Sequence, residues 1–135
     1  MKNAKMIGLC LLLWPAFTEA QLVVTASPVK AEGNKALVKL DFRNDLTNAV
    51  ESARATVFLL NGEAVVGQGT KWVIGGGKDK SSLPAGGTNS FFFVITSGKS
   101  FPRTNLTAKV NVERVVLEGG TLANPAKDVV ISSGK

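Results

Sequence analysis

The residues of this chain best suited to chemistry are carboxylates: Asp41, Asp45, Glu51, Glu63, Asp79, Glu113, Glu118 and Asp128. Two of them held on either side of a glycosidic bond would act as acid and as nucleophile or base. No two have a spacing that forces them together. Most fall at turns or on the polar face of an alternating segment, where solvation accounts for them. Other catalytic classes are excluded by composition. The chain has no His and no Tyr, and its one Cys, Cys10, lies in an N-terminal apolar run. Ser-His-Asp and Cys-His catalysis are therefore excluded, and the commonest zinc ligands are missing. The expectation is a protein that is not an enzyme and takes no cofactor.

Weaker signals have local explanations. "RNDLTN" offers Asn44, Asp45 and Asn48 as oxygen ligands, but it lacks the acid count and spacing of a calcium loop. Asn and Asp also serve turns by bonding to nearby backbone, and a turn is the expectation here. "GGGKDK" at 75–80 has the glycines of a phosphate loop without the Gly-Lys-Ser/Thr ending or a following helix. Asn105-Leu106-Thr107 is a glycosylation sequon, relevant only in a eukaryotic host. Aromatic residues are the last source of a site. Trp72 sits in a short apolar segment and Phe101 beside Pro102 in a loop. Exposed, such rings stack on sugars or anchor a protein partner; buried, Trp72 fills a core and Phe101 packs over the end of one. They are the candidate ligand-binding residues.

The segments that position these residues have a period of two. "KALVKLDFRN" places Ala36, Val38, Leu40 and Phe42 on one face and Lys39, Asp41 and Arg43 on the other, as a half-buried strand does. "SARATVFLL" places Ala53, Ala55, Val57 and Leu59 together. Asn61-Gly62 then supplies a tight hairpin turn, since both residues tolerate positive φ. "EAVVGQG" is the return strand, bent or bulged at Gly67 and Gly69, and "TKWVI" is a separate short strand. "TNSFFFVIT" is apolar on both faces, which predicts a central strand or one covered on both sides. "LTAKVNVERVVLEGG" starts with Leu106, Ala108, Val110 and Val112 inward, and a one-residue bulge near Glu113 or Arg114 returns Val115 to that face. "LVVTA" opens the domain and "DVVIS" closes it. No stretch has a helical period. Seven to eight short strands with turn signals every ten residues or so predict an all-β fold, an immunoglobulin-like antiparallel β-sandwich.

Within that pattern, "VKLDFRNDLTNAVESARATVFLLNGEAVV" and "SSLPAGGTNSFFFVI" resemble the FxLYD-type domains of secreted bacterial and archaeal proteins. Val57-Phe58-Leu59-Leu60-Asn61 stands at the position of the naming motif. Leu59 matches it, while Val57, Leu60 and Asn61 replace Phe, Tyr and Asp. Leu83-Pro84-Ala85-Gly86 stands at the later turn, with its Pro one place early. The resemblance covers most of residues 35–96. It implies an immunoglobulin-like accessory module outside the cytoplasm, with no shared catalytic site.

The N-terminus points to the same location. "MKNAKMIGLCLLLWPAFTEA" has basic Lys2 and Lys5, an apolar run from Ile7 to Phe17, and small residues before Ala20. This is the pattern of a cleaved signal peptide, too short and too interrupted by Pro15 for a spanning helix. Residues 1–20 are read as the leader and 21–135 as one β-sandwich domain, secreted or periplasmic, with no membrane span after cleavage. Losing Lys2, Lys5 and Glu19 lowers the net charge from +6 to +5. The remaining basic residues are scattered among acids, unlike the clustered face of a nucleic-acid binder. The expected role is protein–protein interaction through loops or a strand edge. The alternatives are a carbohydrate-binding module using Trp72 and a structural subunit assembling through strand edges.

Overall fold

Alternating apolar and polar residues build the longest strands. In Lys35–Asn44 every second side chain, from Ala36 to Phe42, is buried, and the residues between them face solvent. The computed structural model describes residues 20–76 and 81–133. The leader reading falls on residues 1–19, outside the described residues, as does part of "GGGKDK". The elements in chain order are β1 (Leu22–Ala26), β2 (Lys30–Glu32), β3 (Lys35–Asn44), β4 (Val50–Asn61), β5 (Ala64–Ile74), β6 (Thr88–Thr96), β7 (Leu106–Leu117), α1 (Pro125–Asp128) and β8 (Val129–Ser133).

Two sheets face each other. In the first, β3 pairs with β6 on one side and with β1 and β2 in succession on the other. Pro28 lies in the break between β1 and β2, where it has no N–H to give to a ladder. β8 lies beyond β1 and runs parallel to it, Leu22 opposite Val129 and Val24 opposite Ile131. All other pairings are antiparallel. The second sheet is β5–β4–β7. The result is an eight-stranded all-β, immunoglobulin-like sandwich. The first sheet is four strand-lanes wide (β6, β3, β1 with β2, β8) and the second only three. Phe42, Phe93, Leu22 and Leu40 from the first sheet meet Val50, Val57, Leu59, Ile74 and Val115 from the second, all essentially without solvent exposure. Each such side chain contributes about 1.5–3 kcal/mol of transfer free energy.

The bulge in β7 falls at Glu113. Ala55 pairs with Val112 and Arg54 with Arg114, so the extra residue restores Val115 to the core at 1% exposure. The hairpin is offset by one residue from the expected turn. Asn61 pairs with Ala64, leaving Gly62 and Glu63 as the loop. Gly62 has φ +66 and Glu63 a negative φ, the signs of a type II′ turn, which needs Gly first. "EAVVGQG" and "TKWVI" are one strand, β5, with register shifts beside Val66 and Val73. Its glycines serve packing as well as bending. A Cβ on Gly67 would sit 3.1 Å from the Phe101 ring, and one on Gly69 would sit 3.3 Å from Phe93.

β6 corrects the expectation of a strand covered on both faces. Among the described residues it pairs with β3 alone, as an edge strand does. Phe93 and Ile95 point inward and are buried, but Phe92 and Val94 point outward at 59% and 38% exposure. Among the described residues the outer face of this sheet carries no further layer, so apolarity on that face does not report burial. The short α1 also escaped the periodicity, because four residues are too few to show one. A local cap makes it: Asn124 Oδ1 accepts from Ala126 N at 3.1 Å, and Asp128 Oδ2 accepts from Asn124 N at 2.9 Å.

Candidate functional site

Most of the candidate carboxylates are held by partners that build the fold. Asp41 accepts the Ser90 hydroxyl at 2.5 Å. Asp45 clamps Arg43 through contacts of 2.9–3.1 Å, and this bonding raises the Arg43 pKa above its ordinary value. Glu51 accepts from Gly119 N at 3.2 Å. Asp128 caps α1, while Glu63 and Glu118 are exposed. Asp79 lies outside the described residues. Among the described residues, no group of three His, Cys, Asp or Glu could hold a metal ion.

"RNDLTN" forms the turn expected of it. Asn44 is fully buried at the end of β3. Its Oδ1 accepts from Leu46 N at 2.9 Å, while its Nδ2 donates to Asn48 O at 3.0 Å and Leu83 O at 3.1 Å. The side-chain oxygen a cation would need already accepts a backbone N–H.

The structure does not bring Trp72 and Phe101 together. Phe101 is 6% exposed and belongs to the core. Its N–H donates to Gly33 O at 2.8 Å and its ring lies against Gly67, which places it over the core as the packing alternative has it. Trp72 lies half-buried on the outer face of the second sheet. The Arg54 guanidinium stands over its ring at 5.6 Å. Gly76, at φ +77, brings its backbone so close that a Cβ there would lie 2.6 Å from Trp72 Cγ. Beside them, Glu113 accepts the Thr56 hydroxyl at 2.6 Å and approaches Arg54 Nε at 3.2 Å, an ionic contact without hydrogen-bond alignment. The result is a surface whose groups already pair with one another.

The missing lane of the second sheet produces a different kind of surface. Among the described residues, β7 pairs with β4 alone. Its outer edge is bonded only at its C-terminal end, where Ala123 N donates to Val115 O and Leu117 N to Thr121 O. From Leu106 to Arg114 that edge has no backbone partner among the described residues. β8 lies across a groove from it, as shown by a hollow of about 450 Å³ lined by Asn111, Val112, Glu113, Pro125, Ala126, Val129 and Ile131. A second hollow of about 220 Å³, between Ala26–Val29 and Leu106–Ala108, continues the groove along the strand. Ile131 records the vacancy. It shares a face with Val24, which has no exposure, yet is itself 39% exposed because, among the described residues, no strand of the second sheet lies over it.

Sequence reasoning named strand edges as a mode of action but did not locate this one. The signal that could have found it is the last apolar strand, "DVVIS". Whether its apolar side chains are covered depends on which strand it joins.

These features define an immunoglobulin-like sandwich with one strand position left unfilled by the described residues. Comparison with known proteins adds no narrower class: no protein-family model matches the chain, and a search of curated proteins finds no relative.

Proposed function

We propose that this protein is a non-enzymatic binding module, secreted or periplasmic, that acts in protein–protein interaction by accepting an extended strand along the open edge of β7. The leader-like residues 1–20 and the FxLYD-type resemblance support the location. The observation that carries the mode of binding is Ile131, an inward-facing apolar residue left uncovered beside an unpaired edge. An added strand would complete the backbone ladder and cover that side chain at once. Main-chain bonds would give the affinity and alternate side chains the specificity. The carbohydrate reading is weaker, because Arg54 and Gly76 already lie against the Trp72 ring a sugar would need.

The test is hydrogen exchange with selected ligands. Random twelve-residue peptides are panned against the protein, and the binders are added during deuterium exchange. The expected outcome is that binders alternate apolar and polar residues and slow exchange in residues 106–112. Binders that protect only the Trp72 face, or a panel with no binder, would overturn the proposal.

A further inference from the structure

We infer that the strand accepted at β7 is a free-standing extended segment with a carboxylate placed beside Lys109. The inference rests on the strand-accepting reading and narrows its partner.

The floor of the groove sets the first condition. β8 extends beneath the vacant lane, with Val129 and Ile131 facing into it. A strand that is backed by the second sheet of its own sandwich would bring that sheet into the place of β8. The same clash excludes the intact β7 edge of a second copy. A segment with nothing packed behind it meets no such obstacle.

The two faces of the vacant lane set the second. Side chains alternate along a strand. Every second residue of the incoming segment therefore points down onto Ile131 and Val129, beside Val110 and Val112, and must be apolar. The intervening residues point up, alongside Thr107, Lys109 and Asn111. The charges on this rim are not equivalent. Glu113 is already engaged by Thr56 and Arg54. Lys109 is exposed, faces Phe58 across β4, and forms no ion pair among the described residues. A carboxylate directly opposite it on the new strand would complete a cross-strand pair of opposite charge, and a cation there would be repelled.

Two synthetic peptides, TVTVEVTVT and TVTVKVTVT, test this by titration and by deuterium exchange of the complex. The glutamate peptide is expected to bind about two- to fivefold more tightly than the lysine peptide, as the energies of cross-strand charge pairs imply, and to slow exchange in residues 106–112. In Lys109→Glu, an exposed substitution whose fold is checked by circular dichroism, the order of the two peptides is expected to reverse. Equal binding of both, with residues 106–112 still protected, would overturn the acidic partner and leave strand acceptance standing. Failure of both peptides to protect β7, in a protein that circular dichroism shows folded, would overturn both.

Discussion

On the β5–β6 flank, the loop after β6 brings Phe101 into the layer between the sheets, where its ring meets Gly67. Lys71 crosses the remaining gap. Its ammonium donates to Val94 O at 2.7 Å and lies 5.1 Å from the Phe93 ring. Ile95, inward-facing here, is 3% exposed. On the β7–β8 flank no ring enters and, among the described residues, no side chain caps β7 from Leu106 to Arg114. The inward-facing Ile131 stays 39% exposed. The same two sheets thus end in a sealed flank and an open one. A lysine bonded to an edge carbonyl is a known way to blunt an edge against further pairing. The β5–β6 flank has that device, while the β7–β8 flank offers a groove.

The largest way to break the contrast is to unseal the closed flank. Phe101→Ala is expected to cost about 3–5 kcal/mol, the range for deleting a buried aromatic side chain, read as a drop in the urea midpoint at unchanged m-value. Ile95→Ala should cost about 2–5 kcal/mol on the same grounds. Gly67→Val forces a branched side chain against the Phe101 ring and should cost about 1–3 kcal/mol. In a Phe101→Leu background that cost should fall, and a double-mutant cycle measures the coupling. Lys71→Met should cost only about 0.5–1.5 kcal/mol for the lost hydrogen bond, while freeing the Val94 carbonyl. Its expected signature is concentration-dependent association in sedimentation, absent from the parent. The smallest effect belongs to the open flank. Ile131→Ala should cost well under half of what Ile95→Ala costs, because much of its side chain never leaves water. Equal losses at the two isoleucines would mean that the flanks do not differ in solution.

The sequence was most legible where one face of a strand is buried and the other is wet. β3 follows its alternation residue by residue, and the Glu113 bulge was visible as a phase slip between Val112 and Val115. It misled where apolar character has another cause. The run "SFFFVI" reads as doubly covered, yet Phe92 and Val94 face outward and are exposed. Trp72 and Phe101 look alike in sequence as aromatics near turns. Their fates were decided by Gly67, which admits a ring from within, and by Gly76, which lies against a ring from outside. The open lane was least legible of all. It depends on β8 joining β1 rather than β7, a choice between partners that local pattern does not encode.

Asn44 has a consequence for how fast this domain forms and comes apart. Its side chain binds Leu83, 39 residues further along the chain. Its backbone bonds Gly86 and Gly87, and the next residue, Asp45, donates to Gln21 O. Together these bonds tie three segments far apart in sequence, at residues 21, 44–45 and 83–87, and closing long loops carries an entropy cost before any contact repays it. The Asn44 cluster therefore belongs on the late, downhill side of the folding barrier. Asn44→Ala should leave the refolding rate nearly unchanged and shorten the lifetime of the native state, the kinetic signature of a fastening made last.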